Sequence, residues 1–206
     1  FFKQKTAYEI ASGDWSSDVC SSDLQGGVAR ALAGAFMLAR GRVAGLAAFE
    51  NTLPVAAFSF RAAAICLPIF LFLKDQSSAP VDVALSLVVD LLVFVASWAG
   101  FALASLYLAK AIGVAEAWPR FIAAWNWSAA VQYLALAALS LPGVLLGNGT
   151  LLDLGGLLAL FYALWLEWFV ARHALRLTAL GAAGFVALDL GLAVFLGGFA
   201  ARITAG

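Results

Sequence analysis

The sequence predicts an all-α polytopic membrane protein: a helical bundle of five transmembrane helices with its N-terminus in the cytoplasm. The first observation is composition. Of 206 residues, 64% are hydrophobic and 12% charged, and mean hydropathy is +0.97. Soluble domains are roughly half apolar and about a quarter charged. A water-soluble fold has nowhere to hide this much apolar surface, whereas a bilayer does. The second observation is spacing. Apolar runs of about 20 residues, enough at about 1.5 Å per residue to cross ~30 Å of hydrocarbon, recur five times between short polar or glycine-rich connections. The third is the one-sided distribution of Lys and Arg in those connections.

The chain opens differently. FFKQKTAYEIASGDWSSDVCSSDL, residues 1–24, is polar, has no helical stripe or strand alternation, and lacks the apolar centre of a signal peptide. It resembles the conceptual translation of a short-read sequencing adapter, FFKQKTAYEI matching one primer and GDWSSDVCSSDL the next. The resemblance implies a non-native, disordered segment, with native sequence from near Gln25. It carries Lys3 and Lys5 but Glu9, Asp14, Asp18 and Asp23, so the remainder holds ten of the 12 bases and eight of the 12 acids. With Cys20 inside it, Cys66 stands alone and no intrachain disulfide is expected. No basic excess points to nucleic acid.

Residues 25–54 form an amphipathic or cytoplasmic N-terminal segment. Within GAFMLARGRVAGLAAFE (34–50), Phe36, Leu38, Val43, Leu46 and Phe49 alternate loosely with Arg40, Arg42 and Glu50. Such a segment either lies flat among headgroups, apolar side down, or packs on the bundle as a short helix. The membrane domain covers 55–201 and a short tail 202–206. The first span, 55–73, begins after Pro54 and is expected to kink at Pro68. KDQSSAPVD forms a polar turn to the second span, 83–109. The third, 119–141, begins at Trp118-Pro119-Arg120 and is expected to stop at Pro142-Gly143. The fourth, 151–171, ends at Arg172-His173, and the fifth, 179–201, at Arg202. Asn148-Gly149-Thr150 has the form of a glycosylation sequon but reads as turn chemistry, since the Ala-, Gly-, Leu- and Arg-rich composition suggests a bacterial chain, placed in the inner membrane.

Cytoplasmic connections carry the excess of Lys and Arg. Arg30, Arg40, Arg42, Lys110, Arg120, Arg172 and Arg176 fall on one side of a five-span chain, seven in all; Lys74 and Arg202 fall on the other. A cysteine appended after Gly206, in a chain lacking Cys20 and Cys66, is therefore expected to react with a membrane-impermeant maleimide only from outside. Labelling only from the cytoplasmic face would reverse this topology.

Ionisable groups inside spans are costly and often functional. Arg61, Asp90, Glu167 and Asp189 qualify. Asp189 is deepest: its cost of ~3 kcal/mol nearly offsets the roughly 3–6 kcal/mol returned by the Leu, Phe and Val residues of its span. It should therefore face the bundle interior. Asn126 and Gln132 of the third span are candidates to meet it, and with Asp90 these form a candidate intramembrane polar cluster. Arg61 and Glu167 lie at similar depth, so they form a candidate ion pair; alternatively each snorkels to the headgroups. Trp118, Trp125, Trp127, Trp165 and Trp168 are expected in the interfacial aromatic belt. Ala96/Gly100/Ala104 and Ala183/Ala187/Gly191 form small-residue stripes suited to helix packing. The single His173 and scattered acids supply no catalytic constellation. No enzyme, metal or cofactor is expected. The expected partners are the lipid bilayer and other membrane proteins or a second copy.

One stretch adds a resemblance. YALWLEWFVARHALRLTALGAAGFVALDL (162–190) resembles the Ypt-interacting protein (Yip) family: an apolar helix, a short basic turn, then an Ala-rich helix. Ala174-Leu175-Arg176-Leu177-Thr178 stands where that family has a Gly-Leu-Ser-like step, here without glycine. The resemblance implies five spans and a scaffold or accessory role, and it carries over no catalytic residue. ARGRVAGLAAFENT and EWFVARHAL are also similar to five-span proteins of alphaproteobacteria. The alternative reading from the residues themselves is a small transporter or channel using the intramembrane polar groups.

Overall fold

A computed structural model describes residues 17–75 and 83–205, with side chains at 27–72 and 83–204. Among the described residues there are seven α-helices and no strand: α1 (Ser17–Ala39), α2 (Leu53–Ser59), α3 (Arg61–Asp75), α4 (Val83–Ala111), α5 (Trp118–Leu145), α6 (Gly149–Ala174) and α7 (Ala179–Ala205). The segment expected to be non-native lies outside the described residues up to position 16; positions 17–24 belong to α1. Most of the polar turn 74–82 also lies outside them. Five spans are long and apolar enough to cross a membrane, the first built from α2 and α3 together (Leu53–Phe72).

The bundle is apolar on its outside, as a bilayer requires. Along α4, Leu92, Val95, Leu103 and Tyr107 are exposed, and along α7, Val194, Phe195 and Phe199. Only 11% of the most apolar stretch of α7 is buried within the bundle. Its Ala183, Ala187 and Gly191 face outward. The other stripe is used within the molecule, where Gly100 of α4 receives the Leu192 side chain of α7.

Helix ends follow local chemistry. Pro54 and Pro119 sit in the first turns of α2 and α5, where a missing N–H costs nothing. Asn148 caps α6, its Oδ1 accepting from the Leu151 N–H at 3.1 Å. Four helices end alike: a residue with positive φ turns the chain, and the next N–H reaches back five residues. Arg42 bonds Met37 O, Val114 bonds Ala109 O, Asn148 bonds Gly143 O, and Leu177 bonds Arg172 O, all at 2.8–3.0 Å. The turning residue is Gly41, Gly113 and Gly147 in three of them, as the Schellman motif favours. In the fourth it is Arg176, at φ 54, so a non-glycine residue bears the left-handed conformation between α6 and α7.

Two features depart from the sequence reading. The first span carries a break that the sequence does not show, at Phe60 between α2 and α3, while Pro68, where a kink is expected, lies inside α3. There the Phe60 N–H turns to Ala57 O and Phe58 O, releasing the Ala56 carbonyl. The Ser59 hydroxyl takes over that carbonyl at 2.6 Å and itself accepts from Asn126 Nδ2 at 2.8 Å. A side-chain network, not proline, makes this break. Second, α5 continues past Pro142 to Leu145. A proline one turn from a helix end removes a single backbone bond, and Gly143 is held against Leu152 across the α5–α6 hairpin.

α5 is central, packed on α1, α2, α3 and α6, while α4 packs chiefly on α7, and α7 also on α6. Every residue from Phe121 to Ser128 is buried. The α4–α7 pair is joined to α5 by an aromatic cluster: Phe121 packs edge-on to Phe185 at 5.2 Å, and Trp125 stacks on Phe101 at 4.4 Å. The segment 34–50 packs on the bundle and is not one continuous helix. α1 buries Ala31, Ala35 and Leu38 in the main core, turns at Gly41, and returns as a 3₁₀ stretch, Val43–Ala48, packed on its own preceding turns. Tyr162, halfway along α6, donates to the Ala39 carbonyl at 3.1 Å. The return ends in a clamp on the start of α5: Asn51 Nδ2 donates to Glu116 O at 2.7 Å, the Arg120 N–H to Asn51 Oδ1 at 3.1 Å, and Arg120 Nε to Phe49 O at 3.1 Å.

Candidate functional site in an intramembrane cavity

Where the α4–α7 pair stands off from α5 and α6, a cavity of about 580 Å³ opens inside the bundle. Its walls are Phe70 of α3, Val93, Ser97, Trp98 and Phe101 of α4, Trp125 to Leu136 along one face of α5, Gly156 to Ala163 along α6, and Leu192 and Ala193 of α7. Besides the hydroxyls of Ser97 and Tyr133, two amides and two acids line it from three helices: Asn126 and Gln132 of α5, Glu167 of α6 and Asp189 of α7.

Each is placed by local register. Asn126 is fixed by its bond to Ser59 at the α2–α3 break. Gln132 and Glu167 meet because α5 and α6 form a tight antiparallel hairpin. Residues equally far from the Gly147-Asn148 turn lie level, which sets Gly143 against Leu152, Gly155 against Ser140 and Gln132 against Ala163. Gln132 Nε2 donates to Ala163 O at 3.2 Å and, one turn on, to Glu167 Oε1 at 3.5 Å. The other carboxylate oxygen, Glu167 Oε2, is buried without a hydrogen-bond partner. Asp189 lines the same cavity from α7. At about 1.5 Å per residue, Asn126, Glu167 and Asp189 lie roughly 10–15 Å from the bundle end where α5 starts, α6 ends and α7 starts.

Three of the four residues in the predicted polar cluster thus converge on one cavity, and Asp90, nearer the N-terminus of α4 than Val93, is not among its walls. The predicted pair of Arg61 with Glu167 does not form. The Arg61 guanidinium lies 4.6 Å over the Phe58 ring on an exposed residue, whereas Glu167 faces the cavity beside Gln132. Equal depth is not equal azimuth: α2 and α3 pack on α5, and the side of α6 bearing Glu167 looks toward α7. Nor do the tryptophans form one belt. Trp118 and Trp127 are buried, and Trp125 lines the cavity. Trp118 Nε1 donates to Ser105 Oγ at 3.0 Å and Trp168 Nε1 to Ala179 O at 3.0 Å, so protein acceptors replace headgroups. His173 is used locally, its Nδ1–H donating to Phe169 O at 2.8 Å. Among the described residues, no three His, Cys, Asp or Glu side chains cluster as metal ligands.

Trp98, Phe101 and Tyr133 on the cavity wall carried no sequence signal, because the helices that bear them are apolar all round. Glu167 beside Gln132 did carry one: their near-equal distance from the Gly147-Asn148 turn. Set beside known protein families, curated proteins and solved structures, the chain matches none of them.

Proposed function

We propose that this is a small multi-pass carrier or channel, with its N-terminus in the cytoplasm, that admits a small solute into the bundle. One observation supports the reading above others: polar groups from α5, α6 and α7 converge on a cavity large enough for a small solute, within a span region where a lone Asp or Glu is costly. A scaffold or accessory subunit, the role implied by the Yip-like stretch, needs helix-packing surfaces but no such chamber. Asn126, Gln132, Glu167 and Asp189 are the solute-facing residues in this reading, and with the cytoplasmic N-terminus Asn126, Glu167 and Asp189 lie in the cytoplasmic half of the bilayer and Gln132 near its middle.

Cysteine accessibility tests the reading. In a background with Cys20 and Cys66 replaced by alanine, Ala129→Cys and Ala163→Cys on the cavity wall are expected to react with a small water-soluble thiosulfonate in intact membranes. Ala187→Cys, on the outward face of α7, is expected to stay unreactive. Cavity cysteines as inert as the lipid-facing one would leave the scaffold role as the better account.

A further inference from the structure

The hydrogen-bond bookkeeping of the cavity specifies the chemistry of its occupant, given the solute-binding reading above. Asn126 and Gln132 each have one donor end and one acceptor end, and the protein fixes which end faces the cavity. Ser59 Oγ already donates to Ala56 O, so it can only accept from Asn126, which must present Nδ2 to it and leave Oδ1 free of that bond. Gln132 points its nitrogen at two oxygens, Ala163 O and Glu167 Oε1, neither of which can donate when the carboxylate is ionised. Both N–H donors of Gln132 and one of the two on Asn126 Nδ2 are thereby engaged within the protein. What the two amides and two acids offer the cavity is then chiefly acceptor oxygen, on Asn126, Gln132, Glu167 and Asp189.

Among the described residues, no Lys, Arg or His lines the cavity to pair with the two acids. The Ser97 and Tyr133 hydroxyls can accept as well as donate. The remaining wall is aromatic, with Trp98, Phe101 and Trp125 among it. Ring faces attract cations, most strongly when both partners are out of water. An anion would meet two acid side chains and none of the cationic ones that usually bind anions. A neutral apolar solute would supply no donor to the acid groups lining the cavity, and a buried polar group left unmatched costs about 1–3 kcal/mol or more.

We propose that the cavity takes an organic cation bearing N–H donors, an amine or guanidine with a small apolar body, held by Glu167 and Asp189 and seated against Trp98 and Trp125. Three probes of one shape and different charge test this on the full chain in phosphatidylcholine nanodiscs at neutral pH, with empty nanodiscs as blank: benzylamine, benzyl alcohol and benzoate. Benzylamine is expected to bind saturably and at least tenfold more tightly than benzyl alcohol, and benzoate not to bind. Glu167→Gln and Asp189→Asn should each weaken benzylamine binding about tenfold or more. Asp90→Asn, outside the cavity, should leave it unchanged. Each variant is first shown to be monodisperse with an unchanged melting temperature; a variant that fails this is replaced by its partner acid's variant, since either alone suffices.

If the alcohol binds as tightly as the amine, or the acid variants bind the amine normally, the cation proposal fails while a solute cavity stands. If none of the three binds, the cation proposal fails as well. The cysteine labelling then decides separately whether the solute-binding reading falls with it.

Discussion

Gly155→Val is expected to leave little folded protein. A Cβ at Gly155 would run into the Leu139 carbonyl oxygen and lie 2.8 Å from its carbon, with Ser140 N at 3.3 Å. These are backbone atoms of α5 and cannot rotate aside, so α5 and α6 would have to separate. Close backbone approach through small residues is a main source of helix association where lipid is as apolar as the side chains. Inserting bulk into a well-packed contact costs about 1–3 kcal/mol, occasionally more, and a backbone contact belongs at the upper end. The same hairpin sets the register that brings Gln132 to Glu167, so binding should fail with it. The neighbouring Gly156 supplies the control. A Cβ there meets nothing within 4 Å, and Gly156 lines the cavity. Gly156→Val should keep the melting temperature in detergent and affect only solute binding. Equal melting temperatures for the two variants would contradict the close hairpin.

Phe121→Ala is expected to loosen the α4–α7 pair from the rest of the bundle. Phe121 is fully buried and touches rings from three helices: Phe101 of α4 at 6.3 Å, Trp125 of α5 at 5.2 Å and Phe185 of α7 at 5.2 Å. In water-soluble cores, Phe→Ala costs about 3–5 kcal/mol through lost transfer and the cavity left behind. Here the unfolded helices stay in lipid, so much of the transfer part is absent and lost packing remains, about 2–3 kcal/mol. Unfolding monitored against increasing SDS should show that loss. Phe195→Ala, 70% exposed on α7, should show almost none. A similar loss for both variants would mean that Phe121 has no special place between the helices.

Much of the fold was legible because its strongest constraint is one-dimensional. A span must be long enough and apolar enough, and the five apolar runs are both. Helix ends were legible where one residue sets them, as Asn148 and Pro119 do. The site was partly legible. Asp189, Asn126 and Gln132 could be grouped because each polar side chain in a span needs an interior partner. Arg61 and Glu167 were paired on depth alone, and depth says nothing of which way a side chain points. In a soluble helix, an apolar stripe gives that direction. In α4 through α7, lipid-facing and core-facing residues are equally apolar, as exposed Leu103 beside buried Ala102 illustrates, so the stripe vanishes. The first-span break was not legible for a related reason. Pro68 is visible in the sequence, whereas the break at Phe60 depends on Asn126, which lies 67 positions from Ser59 in the chain.

By itself, then, the sequence determined that the chain is an all-α bundle with five helices fit to cross a bilayer, because hydrophobic length and helix-end chemistry are local and add along the chain. Only the tertiary structure decided that Glu167 meets Gln132 and not Arg61, that Asn126 bonds Ser59, and that a cavity lies between α4–α7 and α5–α6. Those outcomes depend on the rotation of each helix about its own axis, and that rotation is set by interhelical contacts such as Gly155 on Leu139 and Phe121 on Phe185.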